Sequence, residues 1–63
     1  MDSYVDIHHD GIITTTDMAR LFRVDDEEIW IPNSLIEYYD EDLHDGHGIV
    51  TIPAWFAEKE ELI

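Results

Sequence analysis

The stretch MARLFRVDDEEIWIP, residues 18–32, determines the central feature of the fold. By composition alone, the apolar run at residues 18–24 could be the middle of a helix or a strand. Residues 28–31 are strand-like, and Pro32 stops them. Residues 25–27 form a short polar break between the two runs. Two short apolar runs around a three- or four-residue acidic turn predict a β-hairpin.

Residues before the hairpin predict further extended structure. Residues 4–7 alternate, with Val5 and Ile7 on one face, as in a short strand. Residues 8–11, His-His-Asp-Gly, end in a glycine that tolerates positive φ and predict a turn. Residues 12–16 are all β-branched, which favours extended structure.

Residues after the hairpin predict a turn, a strand and a helix. Residues 32–34 form a turn in which Asn or Ser caps one short helical turn. The acidic residues 37–45 lead into Gly-His-Gly, residues 46–48, which is a flexible turn into a strand at residues 49–52. Proline suits the first position of a helix, so residues 53–62 predict a C-terminal helix.

These elements predict an α+β fold: a small, antiparallel, barrel-like sheet of three to five strands with a C-terminal helix. Residues 1–63 are too few for more than one domain. The chain lacks cysteine, so its stability depends on one compact core. Its 44% apolar residues are sufficient for such a core, with an expected radius of gyration of about 10–11 Å.

The charge balance excludes several classes of function. Three Lys and Arg against 16 Asp and Glu give a net charge of −13, which repels nucleic acid and membrane surfaces. We therefore expect no direct nucleic-acid binding, no membrane association and a basic protein partner. The acidic first ten residues do not resemble a signal peptide, and no apolar run approaches the roughly 20 residues of a membrane span. These features predict a soluble cytoplasmic protein, either bacterial or of a virus that works inside a cell.

The acids are grouped along the sequence. Nine of the 16 fall in two segments, and two tyrosines lie within the second. The short connection at residues 30–34 allows both segments to lie on one side of the domain, where they would present an array resembling DNA phosphates. The candidate partner-binding residues are Asp25, Asp26, Glu27, Glu28, Glu37, Tyr38, Tyr39, Asp40, Glu41, Asp42 and Asp45. One tyrosine is expected to pack inward, and the other to contact arginines of a partner.

A calcium loop is the first alternative for the second acidic segment. Asp40, Asp42 and His44 occupy positions 1, 3 and 5 of the EF-hand pattern. That pattern needs glycine at position 6 and glutamate at position 12, where this chain has Asp45 and Thr51. Calcium binding is therefore disfavoured.

Zinc binding and catalysis are further alternatives. The possible zinc ligands are His8, His9, His44 and His47, with carboxylates of Asp10, Asp42 and Asp45. Nothing in the sequence brings the two histidine clusters together, so we expect neither a metal site nor a cofactor. Lys59 is the sole lysine, and Ser3 and Ser34 have no recognisable triad context. We expect no enzymatic activity.

The remaining large and basic side chains have structural interpretations. Trp30 and Trp55 are expected in the core, since stacking on nucleic acid conflicts with the charge. Arg20 and Arg23 are three apart on a predicted strand, so they point to opposite faces. We expect both arginines to pair with neighbouring acids.

The segments ARLFRVDDEEIWIPNSLIE and GIVTIPAWFAEKEELI together resemble a pattern of small acidic phage and prophage proteins, W-x-P-x-S followed by I-P-x-W. The resemblance covers roughly residues 18–63. The matching residues are Ala19, Trp30, Pro32, Ser34, Ile52, Pro53, Trp55, Ala57, Glu58, Lys59 and Leu62. Some such proteins are anti-CRISPR proteins, and several of these mimic DNA. The resemblance implies a phage-encoded inhibitor that binds the basic groove of a Cas effector, such as the effector of a type I CRISPR system.

Two other hypotheses stay open at this point. One is a small structural or adaptor domain whose acidity serves solubility. The other is a histidine-rich metal-binding domain.

Overall fold

The computed structural model describes residues 3–40 and 47–63. Their strands are β1 (Tyr4–His9), β2 (Gly11–Thr15), β3 (Ala19–Val24), β4 (Glu27–Pro32), β5 (Tyr38–Tyr39) and β6 (Gly48–Pro53). A 3₁₀ turn spans Asn33–Leu35, and helix α1 spans Ala54–Lys59. The prediction of a mostly antiparallel α+β fold with a C-terminal helix is confirmed.

The six described strands form two three-stranded sheets, so the prediction of one barrel-like sheet of three to five strands is wrong. The first sheet has the order β1-β6-β5 and the second has the order β2-β3-β4. Asp10 alone connects β1 to β2, and Gly11 follows with φ of 144°, a conformation that glycine adopts readily. This sharp connection directs the chain into a second sheet. With its two residues, β5 offers too short an edge for closure.

The predicted β3–β4 hairpin is confirmed. Six successive residue pairs join the strands, from Ala19 opposite Pro32 to Val24 opposite Glu27. The connecting turn contains two residues, Asp25 and Asp26, which is shorter than the acidic turn expected from the sequence. Strand pairing therefore continues into the acidic segment.

The turn expected at residues 8–11 is wrong for three of its four residues. His8 and His9 continue β1, and Gly11 already belongs to β2. The alternation that begins at Val5 and Ile7 simply extends by one more step, which places His9 on the inner face with no exposed surface. His9 is therefore a core residue.

One hydrophobic core lies between the inner faces of the two sheets and the helix. Its buried members are Ile7, Phe22, Val24, Ile29, Ile31, Val50, Ile52, Phe56 and Ala57. Strands β3, β4 and β6 each contribute two alternate residues, as expected when one face of a sheet is covered, and β1 contributes Ile7. The radius of gyration, 10.8 Å, agrees with the size expected for the chain.

The placement of both tryptophans in the core is wrong. Ile29 and Ile31 point inward from β4, so Trp30 points outward with 47% of its surface exposed. Trp55 is 59% exposed, because Phe56 and Ala57 occupy the buried face of α1. Both indoles lie on the molecular surface.

The helix ends earlier than the sequence predicts, at Lys59 instead of Leu62. The Leu62 amide donates to the Ala57 carbonyl at 2.8 Å, and the Glu61 amide donates to the Glu58 carbonyl at 3.0 Å. This is a Schellman ending, with Glu61 in the left-handed conformation at φ of 60°. Within the described ranges, no helix has the length and apolar character needed to cross a membrane.

Candidate functional site

The tip of the β3–β4 hairpin is a two-residue turn made of aspartates. Asp25 and Asp26 have φ of 51° and 69°, the signature of a type I′ turn. Asn-Gly is the preferred pair for this turn, because both residues must adopt positive φ. Aspartate, like asparagine and glycine, adopts this conformation more readily than other residues, and the chain places two exposed carboxylates there.

Two further exposed carboxylates, Glu27 and Glu28, follow directly in β4. We call residues 25–28 the acidic tip. Arg23 lies opposite Glu28 across the hairpin, with Nη2 3.8 Å from Oε2, and both side chains are about half exposed. An exposed pair at this distance is weak. The expected pairing of Arg23 with an acid is confirmed, and it offsets one of four negative charges.

His9 contacts both Gly11, in the second sheet, and Asp40, in the acidic segment at residues 37–45. Its Nε2 donates to the Asp40 carbonyl at 2.7 Å, and its Nδ1 accepts from the Gly11 amide at 3.1 Å. These bonds fix the tautomer that carries its proton on Nε2. The imidazole also meets the Phe22 ring edge-on, with centroids 4.9 Å apart. Because both ring nitrogens are used within the fold, the zinc interpretation fails for His9.

Asp40 is held firmly at the end of β5. Its amide donates to the Ile49 carbonyl at 2.9 Å, and its Oδ1 accepts from the Ile49 amide at 2.7 Å. Gly48 lies so close that a Cβ there would sit 2.7 Å from the Asp40 carbonyl carbon and would overlap the carbonyl oxygen. The other carboxylate oxygen, Oδ2, faces the Tyr38 hydroxyl at 3.5 Å.

Asp10 lies between the acidic tip and Asp40. Its amide donates to the Arg23 carbonyl at 2.7 Å, two residues before the turn at Asp25. Its Oδ1 is 3.9 Å from Nε2 of His47, whose ring meets His8 edge-on at 5.6 Å. The sequence leaves open whether the two groups of histidines meet, and the structure brings His8 and His47 together.

These contacts bring the ends of both sheets to one end of the molecule. His9 pairs with Gly48 at the end of the first sheet, and Gly11 pairs with Arg23 at the end of the second. The acidic tip begins about 7 Å, or two strand residues, beyond Arg23. We call Asp10, residues 25–28 and Asp40 together the acidic end.

The other sequence-predicted acids differ in position. Glu37 lies before β5, where its amide donates to the Thr51 carbonyl at 2.9 Å, so it is farther from the tip than Asp40. Glu41, Asp42 and Asp45, and also His44, lie outside the described residues. Sequence reasoning did not include Asp10 in the acidic surface. The Asp10-Gly11 pair directly after the alternating strand could have placed Asp10 at a strand end, because Asp-Gly is typical of turns between strands.

The two tyrosines of β5 point to opposite sides. Tyr39 turns inward, 6.4 Å from Phe22, and the Arg20 guanidinium lies 4.7 Å above its ring. Tyr38 points outward and is 57% exposed. The expectation of one inward and one exposed tyrosine is met only in part, because Tyr39 contacts Phe22 but keeps 37% of its surface exposed. Arg20 donates to Asn33 Oδ1 at 2.6 Å and forms no ion pair with an acid among residues 3–40 and 47–63, contrary to its expected pairing.

Neither a protein-family model, nor a curated protein, nor a solved structure matches the chain. The described part of the chain also holds no group of three or more histidines and acids arranged to bind a metal. The site is therefore interpreted from its geometry and charge.

Proposed function

We propose that this protein binds the basic nucleic-acid-binding surface of another protein and inhibits it, with the acidic end as an imitation of phosphate charge. The observation that carries this proposal is the Asp25-Asp26 turn. Asparagine and glycine would satisfy its backbone better, yet the chain has carboxylates at both positive-φ positions. Aspartate tolerates positive φ better than most residues, but at Asp26 it is less favourable than glycine, and the tight turn holds both carboxylates in fixed, exposed positions.

The distribution of charge supports the same proposal. The 4389 Å² surface divided among 16 acids leaves about 270 Å² for each, whereas a DNA cylinder has about 100 Å² per phosphate. Evenly spread acids would therefore be too sparse to imitate DNA. The acidic end gathers six of them near Arg23, which gives a local formal charge of 1 − 6 = −5 with the histidines neutral.

Binding of this kind requires no chemistry and no cofactor. The field of the acidic end accelerates encounter with a basic surface, and carboxylates form charge-assisted hydrogen bonds with its arginines and lysines. The same charge prevents direct binding to nucleic acid. Following the phage-protein resemblance, we propose a Cas effector subunit of a type I CRISPR system, in the bacterial cytoplasm, as the partner.

The proposal is tested by target-DNA binding to a purified type I effector complex in the presence of increasing amounts of the chain. We expect the chain to displace the DNA at concentrations where polyglutamate of equal total charge does not, because the carboxylates of the acidic end are fixed in place. If polyglutamate displaced the DNA equally well, the fixed positions of the carboxylates would not matter, which would contradict the proposed imitation of phosphate groups. Undiminished DNA binding at saturating chain would contradict inhibition of this system.

A second function is an adaptor domain whose acidity keeps it in solution. The exposure of Trp30 and Trp55 favours it, since exposed indoles are frequent in protein–protein interfaces. Such an adaptor would bind its partner through apolar contacts with little salt dependence, and DNA would not compete.

A further inference from the structure

The outer face of the β3–β4 hairpin carries an apolar site beside the acidic tip. Trp30 lies on this face, directly opposite Leu21 on β3. Leu21 is 9% exposed although it does not belong to the core between the sheets. Directly opposed side chains of an antiparallel pair have Cβ atoms about 5 Å apart, so Trp30 is well placed to cover Leu21.

This arrangement makes Trp30 a supported side chain. The register places the indole beside Leu21, and 53% of the Trp30 surface is covered while 47% remains open. A fixed aromatic ring loses less conformational freedom on binding than a mobile one. Tryptophan is also among the residues that most often dominate binding energy.

The apolar site and the acidic tip form one continuous surface. Glu28 lies two residues before Trp30 on the same strand and the same face, about 7 Å away. Arg23, opposite Glu28, is the next outward residue after Leu21. A partner that covers the acidic tip therefore meets Trp30 as well.

The charge of this surface determines its occupant. A second copy of the chain would bring a second acidic tip against the first, and a net charge of −13 on each copy opposes that contact. Nucleic acid is repelled for the same reason. Charge complementarity favours a protein surface on which arginines and lysines surround an apolar pocket.

We propose that Trp30 is the apolar anchor of the inhibitory interface and enters a pocket rimmed by basic residues on the partner. This inference rests on the proposed function. It assigns two separable contributions: the acidic tip provides salt-dependent attraction, and Trp30 provides salt-independent affinity. The second contribution distinguishes this surface from a simple array of charges.

The test measures the dissociation constant of the full chain for the type I effector complex at several salt concentrations. Four chains are compared: wild type, Trp30→Ala, Trp30→Thr and Trp55→Ala. Threonine preserves strand propensity, and Trp55 is the matched control, because it is exposed but lies on α1 beyond the opposite end of β6. Far-UV circular dichroism verifies that each chain is folded.

We expect Trp30→Ala and Trp30→Thr to weaken binding by about 30-fold or more at every salt concentration, with the salt dependence unchanged. Trp55→Ala is expected to bind like wild type. If Trp30→Thr is folded and binds as tightly as wild type, Trp30 is not the anchor, and the proposed function still stands. Equal losses from Trp30→Thr and Trp55→Ala would overturn the anchor too. If the wild-type chain does not bind the complex, the proposed function fails and this inference falls with it.

Discussion

Replacing the aspartates of the hairpin turn should stabilise the fold and weaken binding at the same time. In Asp25→Asn/Asp26→Gly, the type I′ turn receives its preferred residues at φ of 51° and 69°. Relief of the left-handed conformation at Asp26 is worth about 1 kcal/mol of unfolding free energy. Reduced repulsion with Glu27 and Glu28 adds to it. For a domain of this size, 1 kcal/mol raises the melting temperature by about 4–8 °C.

Thermal unfolding followed by far-UV circular dichroism measures the first effect, and affinity for the effector complex measures the second. We expect at least a tenfold weaker affinity and a smaller salt dependence, because two charges leave the interface. The matched control, Glu60→Gln/Glu61→Gly, also removes two carboxylates and relieves one positive φ, but just after α1. It should gain stability and keep its affinity. A lower melting temperature for the turn variant would refute the strain argument, and equal affinity losses in both variants would refute the location of the interface.

Three other substitutions test the fold, two behind the acidic end and one just after α1, each by urea unfolding followed by circular dichroism. Glu61→Gly alone should raise the unfolding free energy by about 1 kcal/mol, since glycine suits the last position of a Schellman ending; a decrease would contradict that ending. Gly48→Ala should lower it by about 2–4 kcal/mol, because the new Cβ meets the Asp40 backbone; a neutral result would contradict this close approach. His9→Leu should lower it by a similar amount, about 2–4 kcal/mol, since the Gly11 amide and the Asp40 carbonyl lose their partner. Unchanged stability of His9→Leu would mean that these two bonds do not hold the sheets together.

The elements of the fold were predictable where local signals agree. Residues 18–32 predict the hairpin because two apolar runs and an acidic break specify it within one short segment. The division into two sheets was not predictable in this way. It depends on pairing of β1 with β6, whose partners Tyr4 and Pro53 are far apart in sequence. No local pattern specifies such a pairing.

The errors at Trp30 and His9 have one cause. In both strands the period-two alternation gives the correct face: Ile29 and Ile31 point inward, so Trp30 points outward, and Val5 and Ile7 lead to an inward His9. Residue type outweighed position in the sequence reasoning, since tryptophan is apolar and histidine is polar. Strand position decides burial in these cases.

The grouping of the acids was predictable, but their convergence was not. The sequence shows two acidic segments, and the structure brings Asp40 toward Asp10 through the buried His9, while the Asp10 amide bonds the Arg23 carbonyl beside the hairpin turn. A histidine that bonds Asp40 at the end of its own sheet and Gly11 at the start of the other leaves no pattern in a single sequence.

We propose that the acidic end occupies a surface that otherwise holds nucleic acid. The dissociation constant of the chain for a type I effector complex, measured over a range of salt concentrations with and without target DNA, tests this most directly. We expect the affinity to fall steeply as salt increases and saturating DNA to exclude the chain. An affinity that is constant across salt, together with a complex that holds the chain and DNA at once, would contradict it.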